Sequence, residues 1–214
     1  MTAVLAGLLT EPGSQTKVSN PPLAVTFHTK TITMANVCVF CGSRSGDRPE
    51  YAQAANLLGV YLATSGHRLI YGGGSTGIMG AIADAVLEKN GQITGVIPTH
   101  LARVELMHAA VQDMRVTADM HERKALMHSL SDIYVVLPGG FGTMEEFFEA
   151  VTWAQLDLHT RPIAVLNLFG IYDGLMQLMD TMMNTGFLSA KCRAHVTEFR
   201  DPLAMMEWLQ SKTT

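Results

Sequence analysis

The chain has 214 residues, of which 48% are hydrophobic, and carries 15 Lys and Arg against 19 Asp and Glu, a net charge of −4. That length and apolar content suit one well-packed core in a single domain. No basic tract runs through it, which excludes a nucleic-acid backbone as the expected partner. Three cysteines exclude a disulfide scaffold.

Residues 1–34 read as a flexible leader and 35–214 as the folded domain. Val4–Leu9 is a short apolar run with no basic residue before it, unlike a signal peptide. Gly, Pro, Ser and Asn across residues 12–22 suggest a loose tail. No uncharged run approaches a membrane span, so no membrane partner is expected, and the cytoplasm is the expected compartment.

From Asn36 onward, short apolar runs alternate with helical stretches. Strands are predicted over Val37–Cys41, Arg68–Tyr71, Ile93–Ile97, Met114–Thr117, Ile133–Leu137, Pro162–Leu166 and His195–Phe199. Helices are predicted over Pro49–Ser65, Gly77–Lys89, Met120–Leu130 with Asp119 as cap, Thr143–Leu158, Tyr172–Asn184 and Asp201–Gln210. In the fourth of these, Phe147, Val151, Ala154 and Leu158 form one apolar stripe. The alternation predicts an α/β, Rossmann-like doubly wound parallel sheet, with ligands at the carboxyl ends of its strands. Cys38 and Cys41, three apart on one strand, point to opposite faces and read as buried side chains rather than a metal or redox pair.

Three strands end in small residues: Cys41-Gly42-Ser43-Arg44-Ser45-Gly46, Gly72-Gly73-Gly74-Ser75-Thr76-Gly77 and Pro138-Gly139-Gly140-Phe141-Gly142-Thr143. In a parallel sheet all three lie on one edge. Glycine lets backbone amides approach an anion, and the following helix adds its positive end. A phosphate site is therefore expected, with the third loop holding the phosphate of a nucleoside 5′-monophosphate. Gly72, Gly74 and Gly77 fit G-x-G-x-x-G, but the next strand ends in Val96-Ile97-Pro98 with no acid for a ribose, which disfavours NAD. No Gly-Lys-Ser/Thr follows any of the glycines, which disfavours a P-loop.

The third loop leads into Glu145, Glu146 and Glu149. Acids in a first turn ordinarily complement the helix dipole. An acid beside an anion site makes better sense facing another part of the ligand, where it stabilises an oxocarbenium-like sugar or activates water. Met120-His121-Glu122-Arg123-Lys124 is a second charged group; His121 and His128 read as ordinary helix-surface residues.

Pro138-Gly139-Gly140-Phe141-Gly142-Thr143-Met144-Glu145-Glu146 matches PGGxGTxxE, and this resembles the LOG (Lonely Guy) family of cytokinin riboside 5′-monophosphate phosphoribohydrolases. Phe40-Cys41-Gly42-Ser43, Tyr71-Gly72-Gly73-Gly74, Met120-His121-Glu122-Arg123-Lys124 and Thr152-Trp153-Ala154-Gln155 agree in order and spacing, so the resemblance runs from about Asn36 to the carboxyl end. It implies hydrolysis of the N-glycosidic bond of a purine nucleoside 5′-monophosphate, with no cofactor or metal, by a homodimer or larger homo-oligomer. It implies Arg123 and Glu146 as the catalytic pair. Substrate contacts implied by the resemblance or expected from the loops are Gly42, Ser43, Gly73, Gly74, Glu105, Lys124, Gly140, Phe141, Gly142, Thr143, Met144, Glu145 and Thr152. No pyridoxal-phosphate lysine site is recognisable. Two other readings stay open: a broader purine monophosphate nucleosidase, and a nucleotide-binding or carrier protein without turnover.

Overall fold

The structure, a computed structural model, describes residues 33–102 and 107–213. Seven strands alternate with helices in chain order: β1 Asn36–Phe40, α1 Pro49–Thr64, β2 Arg68–Tyr71, α2 Gly77–Glu88, β3 Gln92–Pro98, α3 Thr99–Ala102, β4 Asp113–Thr117, α4 Met120–Leu130, β5 Ile133–Val136, α5 Phe141–Gln155, β6 Ile163–Leu166, α6 Asp173–Asn184, α7 Ala190–Arg193, β7 Val196–Phe199 and α8 Pro202–Lys212. A 3-10 turn over Leu168–Gly170 follows β6. The order across the sheet is β4-β3-β2-β1-β5-β6-β7, and every pairing is parallel. The doubly wound parallel sheet expected from the alternation is what forms.

The central strands read as unbroken apolar runs because both of their faces are covered. All four residues of β5 and of β6 are buried, whereas the edge strands β4 and β7 are largely half-buried. One core packs Val37, Val39, Leu69 and Val135 against Leu58, Ile82 and Leu209 from α1, α2 and α8. The other packs Cys38, Phe40, Tyr134 and Val136 against Met127, Phe147 and Met176 from α4, α5 and α6. Cys38 and Cys41 fall in different cores, as the strand period requires. Burial pushes both thiols up, Cys38 to about 12.

Strand order reverses at β1, whose neighbours are β2 on one side and β5 on the other. The carboxyl ends of β1 and β5 therefore flank the switch point of the sheet, where doubly wound folds bind ligands. Of the leader, residues 1–32 lie outside the described residues, as do Glu105 and its neighbours 103–106. Among the described residues, no helix is long and apolar enough to cross a membrane.

Two details differ from expectation. α5 begins at Phe141, two residues before Thr143, because Gly140 serves as its cap. Glu145 therefore sits beyond the first turn and is not a dipole partner; it pairs with Lys124 instead. Its apolar stripe is also shifted. Phe147, Ala150 and Ala154 are buried, Val151 is only half-buried, and Leu158 lies past the helix end, exposed.

Candidate active site

The three glycine loops meet at the switch point and are fastened by their own backbones. The Gly42 amide donates to the Pro138 carbonyl at 3.1 Å, and the Gly42 carbonyl accepts from the Ile78 and Met79 amides at 3.0 and 3.2 Å. The Thr76 hydroxyl donates to the Ser43 carbonyl at 3.1 Å. Gly77, at φ +61°, lets α2 start hard against Ser43 and Arg44. The amino end of α2 is thus satisfied by the first loop and is not left for a ligand.

The amino end of α5 differs. Its cap, Gly140, makes no side-chain hydrogen bond, so no side chain caps the amides of the first turn. A β-carbon added to Gly140 or Gly142 would meet nothing within 4 Å, which means open space beside both. This open end borders a cavity of about 510 Å³ lined by the first loop, by Gly72, and by Pro138–Thr143. Backbone amides and a helix dipole aimed into such a space suit a phosphate.

The floor of the cavity is an ion pair. Arg123 on α4 places Nη1 2.7 Å from Oε1 of Glu146 on α5. Both residues are 7% exposed. The Arg123 Nε donates to the Val96 carbonyl at 3.0 Å, anchoring the guanidinium to β3. Gly72 makes the placement feasible, since a β-carbon there would lie 2.5 Å from the guanidinium. Burial pushes the Glu146 carboxyl above the usual carboxylate range, with Arg123 opposing the shift.

The residues expected in the site separate into groups. Gly42, Ser43, Arg123, Gly140, Phe141, Gly142, Thr143 and Glu146 all line the cavity. Lys124, Met144, Glu145 and Thr152 do not. Lys124 pairs with Glu145 and, at 3.3 Å, with Glu149, on a flank of α5 turned away from Glu146. Thr152 is exposed, its hydroxyl bonded to the Phe148 carbonyl at 2.6 Å. Met144 lines a neighbouring apolar groove of about 490 Å³ with Phe148, Tyr172 and Leu178. Gly73 and Gly74 hold the segment beyond α3: the Gly73 carbonyl accepts from the His108 amide at 3.1 Å, and Gly74 bridges to Met107.

Sequence reasoning passed over several lining residues. Arg44, Tyr51, Ile78, Met79, Leu101, Met120 and Ile171 also line the cavity. Arg44 stands in one of the three glycine loops and Met120 opens the Met120–Lys124 group, so the positions of both offer a signal; the other apolar residues offer none, because they resemble core. His128 also departs from expectation. It is buried, with its ring 4.4 Å from that of Trp153 and its Nδ1 2.7 Å from the Tyr134 hydroxyl.

Comparison with known proteins bears on the family and the fold. A family model described as "Possible lysine decarboxylase" matches residues 79–209. A protein of Oryza sativa subsp. japonica, named as a probable cytokinin riboside 5′-monophosphate phosphoribohydrolase, is 47% identical over 157 residues, 73% of this chain and 70% of its own. An Arabidopsis thaliana cytokinin riboside 5′-monophosphate phosphoribohydrolase is 43% identical over 157 residues, 73% of this chain and 74% of its own. Among solved structures, the molybdenum cofactor binding protein of Rippkaea orientalis superposes with TM-score 0.65 at 21% identity, covering 85% of this chain and 98% of its own. The Moco carrier protein of Chlamydomonas reinhardtii gives 0.61 at 22% identity, covering 84% and 99%. At those identities the two structures speak for the fold alone. Sequence identity over nearly three quarters of the chain, together with the family match, goes further: the chain belongs to the LOG family.

Proposed function

We propose that this protein hydrolyses the N-glycosidic bond of cytokinin and purine riboside 5′-monophosphates, releasing the free base and ribose 5-phosphate. The observation that carries the reading is that Glu146, paired with Arg123, sits on the floor of the same cavity whose rim is the start of α5, where no side chain caps the amides. A phosphate anchor and a buried carboxylate in one cavity are what this reaction asks of a site. The names of the relatives support the same activity.

The 5′-phosphate is held by the amides of Gly140–Thr143, which fixes the register of the nucleotide. Cleavage builds positive charge on the ribose as the bond to the base breaks. Glu146, ionised, stabilises that charge and orients the water that attacks the anomeric carbon. The water's hydroxyl ends on ribose 5-phosphate and a proton ends on the departing base. Arg123 holds Glu146 in place and balances charge on the base as it leaves. Met79, Leu101 and Met120 offer an apolar wall for the base.

Glu145 and Thr152 lie on a flank of α5 outside the cavity, and Lys124 of α4 pairs with Glu145 there. A homodimer or larger assembly would bring such a flank near a second copy, and exposed Phe148, Leu178 and Phe187 supply apolar surface for it.

Chromatography of products from AMP and isopentenyladenosine monophosphate tests the activity. Free base and ribose 5-phosphate are expected from at least one, and the two rates rank the substrates. Nucleotide binding without any base release would replace the enzyme reading with that of a carrier.

A further inference from the structure

The cavity lining carries few charges. Arg123 and Glu146 neutralise each other at 2.7 Å, and burial keeps the Cys41 thiol protonated. That leaves Arg44, exposed in the loop between β1 and α1. Among the described residues it has no hydrogen-bond, ion-pair or ring partner. Its nearest basic neighbour in the chain is differently placed: Arg48 lies over the Phe169 ring at 4.7 Å and does not line the cavity. The Gly42–Pro138 bond ties the β1 loop to the β5 loop two residues before Arg44. Arg44 therefore stands on the β1 side of the switch point, and the α5 amides stand on the β5 side.

Backbone amides bind phosphate through partial charges, and a full positive charge nearby strengthens the hold on a dianion. With Arg123 committed to Glu146, the only uncompensated cation among the described lining side chains is Arg44. We infer that Arg44 is the specificity residue that makes this site prefer 5′-phosphorylated over unphosphorylated nucleosides. The inference rests on the proposed hydrolase reading for its substrate but not for its charge argument. It acts at an exposed lip, so its contribution is sensitive to salt, unlike that of the buried pair.

The test compares Arg44→Ala, Arg44→Lys and Arg48→Ala with the parent chain, using AMP and adenosine, with kcat and KM measured separately at low and high ionic strength. Calorimetry with ribose 5-phosphate runs alongside. Arg44→Ala is expected to raise KM for AMP by roughly 10- to 100-fold, with kcat little changed and adenosine turnover unaffected. Its KM should lose most of the parent's salt dependence. Arg44→Lys should recover much of the loss, Arg48→Ala should match the parent, and ribose 5-phosphate binding should weaken in step with KM. An unchanged KM for AMP in Arg44→Ala, or an equal loss on AMP and adenosine, overturns the inference. If the parent releases no base at all, the hydrolase reading fails by itself, and ribose 5-phosphate binding still decides Arg44: undiminished binding in Arg44→Ala, or none in the parent, overturns its role.

Discussion

Arg123 and Glu146 stand 23 positions apart on different helices, yet their side chains meet at 2.7 Å in a nearly dry floor. Such a pair can be structural, catalytic or both, and substitutions separate the cases. Glu146→Gln keeps the shape and an acceptor for Arg123 but removes the charge. It should retain nucleotide binding and lose at least ~10²-fold in kcat. Arg123→Ala leaves a buried carboxylate without its partner and should cost about 3–5 kcal/mol of stability. Replacing both, Arg123→Met with Glu146→Leu, should recover much of that stability and none of the activity. Thermal melts and steady-state kinetics on the four chains check this; an active double variant would remove the pair from the mechanism.

The same burial sets a pH dependence. Glu146 is held above the ordinary glutamate range, chiefly by desolvation, with Arg123 pulling the other way. In the proposed mechanism the ionised carboxylate is the working form, so activity should fall as pH drops through this raised value. The acid limb of kcat/KM should therefore lie above the unperturbed glutamate value of ~4.3. For stability the sign is opposite. A carboxyl with a higher pKa folded than unfolded contributes stability below the unfolded value and loses it as pH rises through the folded one. Glu146→Gln should abolish the acid limb in its residual rate. It should also gain thermal midpoint relative to the parent as pH rises through that window.

The sheet was legible because buried parallel strands are short apolar runs, and the three glycine loops marked their carboxyl ends. Short elements were not: α3 and α7 have four residues each, too few to show a period. The start of α5 was misplaced because Gly140 and Gly142 hide helical character. No spacing rule could pair Arg123 with Glu146, since the contact is made by tertiary packing; the family resemblance alone named both. Nor could sequence show that adjacent residues part company. Lys124 and Glu145 turn away from Arg123 and Glu146 because successive helix positions differ by about 100°.

His128 shows a further cost of reading a helix by composition. Placed by sequence on the solvent face, it is buried between Trp153 and Tyr134, and burial lowers its pKa despite Glu149 nearby at 3.5 Å. His67 and His159 are lowered for the same reason. A histidine with a lower pKa folded than unfolded contributes stability above ~6.5 and loses it as pH falls through the folded value. The thermal midpoint should therefore drop as the solution is acidified below that point. His128→Gln, which can still bond Tyr134, should make the drop shallower; an unchanged slope would assign it to the other two histidines.

Neighbouring glycines should respond in opposite ways. A β-carbon on Gly139 would lie 2.8 Å from the Gly42 amide and from Cβ of Thr143, atoms that join the β1 loop to the start of α5. Gly139→Ala must push those loops apart, and should lower both the thermal midpoint and phosphate affinity. Gly140 has nothing within 4 Å of its added carbon, and its φ of −102° is open to any residue. Gly140→Ala should therefore fold as the parent does while placing a methyl beside the α5 amides. The expected result is an unchanged melt with a raised KM for the nucleotide. Parental KM in Gly140→Ala would mean that the phosphate does not approach the first turn of α5, and the anchor would have to be sought elsewhere in the cavity.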